Sequence, residues 1–329
     1  MTQNALKAAP RIGMGCWAIG GPFWNGDVPV GYSGTNDADS TKAVHAAWAA
    51  GVRVFDTSAV YGAGHSETLL GEALRDRPDA VIVSKFGHSF DAESKQMTGP
   101  QYDAAYIEDS VDQSRRRLQR DRIDVMLLHL NGLAVEDAMP VFDTLEALRS
   151  RGSIAAYGWS TDFPDSVNAM AGRDGFIAVQ HAMNIFVDAP SLSAAAEAHD
   201  LVQLNRSPLA MGVLTGTFSD GRRVPKDDIR SNDADWQNYF ESGSASPDYA
   251  RQLDALRDLI TAGGRTLGQG ALCWLLAKSP NTLPIPGAKN AEQAEENAAA
   301  LDYGPLPAEI MAEIEVVLTR GPEGPARAR

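Results

Sequence analysis

Four side chains in this chain have the types and the placement for proton-transfer chemistry. Asp56 ends an apolar, β-branched run, and Tyr61 follows five residues later in the glycine-bearing loop Thr57-Ser58-Ala59-Val60-Tyr61-Gly62. Lys85 ends the run Ala80-Val81-Ile82-Val83-Ser84, and His129 ends Ile123-Asp124-Val125-Met126-Leu127-Leu128. A carboxylate, a phenol, an ammonium and an imidazole together can hold, share and hand on a proton. Each also has a plainer reading. Asp56 can be a buried turn-former, Tyr61 a core aromatic, His129 a satisfied core histidine, and Lys85 a side chain that snorkels to solvent. Against four separate plain readings stands their common address at the ends of apolar runs. In a closed parallel barrel the C-terminal ends of the strands converge on one face.

The elements must supply such a face. Strands are expected at 11–17, 52–57, 80–85, 123–129, 155–160, 176–180, 201–204 and 282–286. Several are nearly continuous in apolar residues, as strands covered on both sides must be. Helical stretches alternate with them. One spans 41–50, with Val44, Ala47 and Trp48 on one face, and another 66–75, with Ser66 as its N-cap. A third at 105–120 puts Ile107, Val111, Ser114 and Leu118 on one side, and others fall at 135–151, 165–171, 191–199, 249–262, 267–278, 291–301 and 307–318. Eight strand–helix alternations make parallel pairing the natural arrangement, and a (β/α)8 TIM barrel the expected α/β fold. A doubly wound open sheet is the rival, but no Gly-x-Gly-x-x-Gly joins a strand to a helix. No linker composition divides the chain and no repeat of 20–50 residues recurs. Residues 1–329 are therefore expected as one domain, with a long irregular segment at 215–247 and a disordered tail at 322–329.

Composition narrows the partners. The chain has 329 residues, 44% hydrophobic and 22% charged, with a net charge of −14. That balance suits a globular chain with a sizeable core and makes a nucleic-acid backbone a poor partner. Cys16 and Cys273 are too few for a disulfide framework, and both sit in apolar surroundings that favour buried thiols. The first residues lack an apolar signal core, and no run reaches the ~18–20 apolar residues of a membrane helix. A cytoplasmic protein with no membrane partner and no metal is expected, and its oligomeric state is left open.

The four strand-end residues, together with further motifs, resemble the aldo-keto reductases over nearly the whole chain. The distinctive pieces are Phe55-Asp56-Thr57-Ser58-Ala59-Val60-Tyr61-Gly62, Gly158-Trp159-Ser160, Gln180, the stretch from Ser207-Pro208 through Leu214-Thr215-Gly216, and Pro286-Gly287-Ala288-Lys289. The resemblance implies an oxidoreductase that reduces an aldehyde or ketone with a nicotinamide cofactor. Tyr61 would be the general acid in reduction and general base in oxidation. A free tyrosine titrates near ~10, and a cationic Lys85 is expected to lower that value. Asp56 would hold the ammonium, and His129 would donate a hydrogen bond to the substrate carbonyl.

The resemblance also implies a cofactor groove. Ser160, Thr161 and Gln180 would meet the nicotinamide amide, although Thr161 stands where relatives carry Asn. Arg206, with Trp17 and Asp56 nearby, would border the nicotinamide ring, Arg206 by stacking its planar guanidinium. Ser207, Pro208, Leu209, Gly212, Leu214 and Gly216 would line the pyrophosphate, with Arg222 closing over it from the 215–247 segment. Gly287, Lys289, Gln293, Glu296 and Asn297 would take the adenosine end. Lys289 offers a point charge for a 2′-phosphate, which favours NADP(H) while leaving NAD(H) possible. The substrate wall is assigned to Trp17, Phe23, Trp24 and His129, with Trp236 and Tyr239 nearby. Those aromatics favour an apolar or alicyclic carbonyl compound over a small charged acid, and the resemblance implies a keto-sugar, an apolar ketone or a keto-terpenoid such as a trichothecene. Two other classes compete: a redox-sensing binding subunit with a reductase fold, and a Schiff-base aldolase built on Lys85.

Overall fold

The computed structural model describes residues 2–233, 238–321 and 323. Eight strands form one parallel sheet whose order follows the chain. They are β1 Met14–Gly15, β2 Val54–Asp56, β3 Val81–Phe86, β4 Ile123–Leu128, β5 Ile154–Ser160, β6 Phe176–Ala182, β7 Val202–Arg206 and β8 Thr282–Pro284. The outermost strands also meet. Gly13 N donates to Pro284 O and Gly15 N to Pro286 O, each at 2.9 Å, and Gly15 bridges Gly287. The sheet thus curls back on itself. Sequential order without reversal is incompatible with the doubly wound alternative, which needs a switch point.

Successive side chains on a strand point to opposite faces. Val54, Val83, Leu127, Ala178 and Leu204 belong to an interior cluster inside the curl. Phe55, Ile82, Met126, Leu128, Tyr157 and Trp159 belong to the other cluster, packed under the helices. This register decides which strand-end residues look inward. Asp56 lies two residues after Val54, Lys85 two after Val83, His129 two after Leu127, and Gln180 two after Ala178.

The helical periodicity holds where the apolar stripe is clear. Ala104–Leu118 buries Ile107, Ser110, Val111, Ser114 and Leu118, and Asp103 caps it by accepting Tyr106 N. Asp37–Ala49 buries Val44 and Ala47, while Trp48 lies half-buried under the Arg53 guanidinium, 4.0 Å from the ring centroid. One cap differs from expectation. Helix His65–Ala73 begins behind Gly64, which holds φ 93°. Ser66 therefore falls inside the first turn, where its Oγ donates to Cys16 O at 2.8 Å.

Three features were not expected from sequence. Helix Thr2–Ala8 inserts Leu6 into the interior cluster at the N-terminal ends of the strands, opposite the polar face. The hairpin Trp24–Asn25/Val28–Pro29 joins the hairpin His88–Asp91/Gln96–Pro100 in a separate four-stranded sheet. The segment expected to be irregular at 215–247 contains a short 3-10 turn at Ile229–Ser231 and a small hairpin, Phe240–Glu241/Ser244–Ala245. These strands are two to five residues long, too short to carry a readable alternation. Apart from Glu323, the 322–329 tail lies outside the described residues. Cys16 and Cys273 are buried and free. Among the described residues no helix is long and apolar enough to cross a membrane.

Helices His65–Ala73 and Ala104–Leu118 approach closely at Gly71, where an added Cβ would stand 2.4 Å from Arg117 O and 2.7 Å from Leu118 C. Both neighbours are backbone and cannot swing away. Gly71→Ala should cost about 1–3 kcal/mol by overpacking. Gly172→Ala, where nothing lies within 4 Å, should be nearly neutral. Urea unfolding of the two variants checks the contrast, and equal midpoints would refute it.

Candidate active site

The inward strand ends bring the four residues together. Lys85 has no exposed surface, and its Nζ donates to Asp56 Oδ1 at 2.6 Å, to Thr57 O at 2.7 Å and to Tyr61 Oη at 3.3 Å. Those three acceptors match the three donors of an ammonium. Gln180 Nε2 reaches from β6 to Asp56 Oδ2 at 2.7 Å, so both carboxylate oxygens are engaged. The Tyr61 ring stacks on Trp17, with centroids 5.6 Å apart and planes 16° apart. It meets the His129 ring edge-on at 5.9 Å. His129 Nδ1 lies 3.2 Å from Ser58 Oγ.

Burial dominates the electrostatics. It pushes the Asp56 carboxyl up, against the pull of Lys85 and Gln180. For Lys85 burial acts downward, but Asp56 and Tyr61 outweigh it and hold the ammonium above its ordinary value. His129 is driven well below the ordinary histidine value, first by burial and then by Lys85, His88 and Arg206, so its ring is neutral near pH 7. Tyr61 corrects the expectation of a lowered phenol. Burial raises it by more than Lys85 lowers it, and Asp56 adds to the rise. The phenol therefore keeps its proton at neutral pH, as a donor must.

Several of the groups assigned to a cofactor groove are already bonded within the protein. Ser160 ends β5. Thr161 is fully buried, its Oγ1 donating to Asn131 O at 2.8 Å, so its side chain is not open to a ligand. Gln180 spends its amide nitrogen on Asp56. Arg206 is ion-paired with Asp162, whose other oxygen accepts Ala182 N at 2.8 Å. Beyond β7, Ser207, Ala210 and Met211 hold positive φ at 52°, 48° and 54°, followed by Gly212 and Gly216 at 106° and 75°. Three non-glycine residues in the left-handed region within five positions is an uncommon backbone. Leu214 is fully buried and Pro208 and Leu209 nearly so, leaving that stretch to offer backbone rather than side chains. Arg222 is exposed and paired with Asp220, Nη2 to Oδ2 at 3.0 Å.

At the far end, Lys289 Nζ donates to Ser33 O at 2.6 Å and stands 3.9 Å from Asp228 Oδ2. Burial, reinforced by Arg230 and opposed by Asp228, brings its value down to about 8. Gln293 Oε1 accepts Lys289 N at 2.8 Å, and Asn297 Nδ2 donates to Gly287 O at 3.2 Å. Glu296 shares their helix, Ala291–Ala298, and its carbonyl accepts Gln269 Nε2.

The substrate wall differs from expectation at two aromatics. Phe23 is buried among Val60 and Tyr61, backing the site instead of facing it. Tyr239 is buried too, and its Oη accepts Asn184 Nδ2 at 2.8 Å. Trp24 is half-buried in its hairpin, and Trp236 lies outside the described residues. His88, which sequence reasoning passed over, packs its ring edgewise 5.3 Å from the His129 ring. Its signal was its place three residues beyond Lys85. Ser58 and Asp162 were missed as well, because hydroxyl and carboxylate residues in loops are too common to stand out.

Residues 11–319 match the model of the Aldo/keto reductase family. The chain belongs to that family, whose members are oxidoreductases of carbonyl compounds. It is 28% identical over 297 residues to aldo-keto reductase YhdN of Bacillus subtilis, covering 87% of this chain and 83% of that protein. It is 26% identical over 307 residues to the Schizosaccharomyces pombe aldo-keto reductase yakc [NADP(+)], covering 89% and 84%. Among solved structures, the glycerol dehydrogenase of Gluconobacter oxydans superposes with a TM-score of 0.78 at 28% identity, covering 96% of this chain and 94% of that one.

The lowered value of His129 carries a pH signature. The unfolded chain takes up a proton near ~6.5 that the folded ring refuses. Stability should therefore be unaffected above that value and fall as pH drops below it. Urea midpoints measured at about pH 7.5 and about pH 5.5 should separate more for the wild type than for His129→Asn. An equal separation would show that the ring is not held neutral by the fold.

Proposed function

We propose that this chain is an NADP(H)-dependent reductase of neutral aldehydes or ketones, reversible, with Tyr61 as the general acid and base. One observation carries the reading: Lys85 Nζ sits 3.3 Å from Tyr61 Oη while Asp56 neutralises the ammonium from the other side. We take the curled sheet as a (β/α)8 barrel forming one domain, with the described parts of the 215–247 segment lying over the cofactor. The long loops at its C-terminal face bound the site.

The residues fit a dinucleotide. The run of left-handed residues at 207–216 can turn successive backbone N–H groups toward a pyrophosphate. Ser160 and the amide oxygen of Gln180 remain to orient a carboxamide. The fission yeast relative is named as an NADP(+) aldo-keto reductase. A bound reduced nicotinamide supplies hydride to the carbonyl carbon. The chain does the rest. His129 orients the carbonyl oxygen. Tyr61 Oη gives its proton to that oxygen as charge develops there, and Lys85 stabilises the phenolate left behind. Burial holds the Tyr61 phenol above its ordinary value, so the proton that reduction needs is present at neutral pH.

The pocket favours neutral substrates. Arg206, a cation at the end of β7, is already ion-paired with Asp162. Trp17 and Trp24 supply apolar surface, which suits a keto-sugar ring, an apolar ketone or a keto-terpenoid. The contacts of Lys85 weaken the aldolase alternative. A Schiff base needs a free amine, and this ammonium is raised and fully coordinated.

Tyr61→Phe should lower carbonyl reduction by about 10²–10⁴-fold and leave NADPH binding, read by fluorescence, within a few-fold. Wild-type turnover across a panel of aldehydes, ketones and keto-sugars would sink the mechanism. Lys289→Glu should lower the kcat/KM ratio of NADPH over NADH. An unchanged ratio would remove Lys289 from the 2′-phosphate site.

A further inference from the structure

We propose that Ser58 is a positioning residue that sets the tautomer of His129: its hydroxyl donates to Nδ1, so that Nε2 carries the hydrogen offered to the substrate carbonyl. The proposal rests on the reading of His129 as the group that orients that carbonyl. Its geometric part stands apart from that reading.

A neutral imidazole has one N–H and one bare nitrogen. If Nε2 is bare where the carbonyl arrives, two lone pairs face each other and nothing is donated. Which nitrogen bears the hydrogen thus decides whether His129 attracts or repels the substrate oxygen. Burial and the nearby Lys85 ammonium keep the ring from resolving the matter by taking a second proton.

Ser58 is almost fully buried, and the backbone on both sides of it is pinned. Thr57 N donates to Val83 O at 2.8 Å, Thr57 O accepts Lys85 Nζ at 2.7 Å, and Ala59 N donates to Lys85 O at 3.1 Å. From that fixed position the hydroxyl has two acceptors in reach. His129 Nδ1 is 3.2 Å away and Lys85 O is 3.4 Å away. Lys85 O already accepts Ala59 N, whereas Ser58 is the side-chain hydrogen-bond partner of the His129 ring among the described residues. A single hydroxyl proton is better placed on the nearer, otherwise unserved nitrogen. The opposite tautomer would need Nδ1–H to donate to Ser58 and the hydroxyl to turn to the longer contact. Tyr61 and His88 pack edgewise on the same ring at 5.9 and 5.3 Å, which hinders a ring flip that would exchange the two nitrogens.

The test uses the full-length protein labelled with 15N-histidine, without cofactor. Two-bond 15N–1H correlation spectra report the tautomer of each ring, and the His129 signals are identified by their loss in His129→Asn. In the wild type we expect a protonated Nε2 and an Nδ1 shifted as a hydrogen-bonded acceptor. In Ser58→Ala the preference should be lost, with the Nδ1 and Nε2 signals moving toward the averaged positions of a ring that exchanges between both tautomers. With NADPH and a turned-over carbonyl substrate, Ser58→Ala should lower kcat about five- to tenfold, the worth of one hydrogen bond, with KM for NADPH unchanged. Ser58→Thr, which keeps a hydroxyl, should restore both readouts. A wild-type ring protonated on Nδ1, or an Nδ1 signal unmoved in Ser58→Ala, overturns the proposal. A shifted Nδ1 with unchanged kcat supports the role of Ser58 and removes His129 from carbonyl orientation.

Discussion

An ammonium with no exposed surface is the constraint on which this site depends. Taking Lys85 out of water is costly, and the cost is offset only if each of its three donors finds an acceptor in good geometry. The acceptors come from one short stretch: the Asp56 carboxylate, the Thr57 carbonyl and the Tyr61 hydroxyl. Satisfying one cation therefore fixes the end of β2, the turn after it and the direction of the phenol. Gln180 extends the constraint across the interior by occupying the second oxygen of Asp56 from β6. Removing one partner of such a buried pair typically costs about 3–5 kcal/mol, so the arrangement has few neighbouring alternatives.

The same burial that anchors Lys85 sets the protonation of its neighbours. Tyr61 stays a phenol and His129 stays neutral because neither can carry charge cheaply there. Proximity to a cation is thus not sufficient to make a phenolate; the dielectric around the pair decides the sign. On our reading of the mechanism, the ground state is a protonated donor beside a waiting cation, and the ammonium acts as charge builds on the phenolic oxygen.

Several groups of the expected cofactor groove are pre-engaged. Arg206 is held by Asp162, Lys289 by Ser33 and Asp228, and Asn297 by Gly287. If these groups take a dinucleotide, binding exchanges protein partners for ligand partners instead of capturing idle side chains. Such an exchange yields a small net gain per contact. It links affinity to the positions of the loops that carry Ser33 and Asp228.

The curled parallel sheet and the meeting of Asp56, Tyr61, Lys85 and His129 were legible in the chain because both follow from local, periodic signals. Apolar runs ending in a polar residue give a strand, and period-two alternation from Val54, Val83 and Leu127 puts Asp56, Lys85 and His129 on the inner face. What the sequence could not show were the pairings between distant segments. The hairpin at His88 docks on the one at Trp24. Phe23 turns inward to back Tyr61. Thr161 bonds Asn131, and Ser58 meets His129. Each depends on where one loop lies relative to another, which no local pattern encodes. The direction of the Tyr61 shift belongs with them, since it is a balance of burial against charge. The sequence by itself determined which groups stand at the strand ends. Tertiary structure decided which of them touch and which stay neutral, because desolvation and hydrogen-bond geometry exist only once the loops have closed around them.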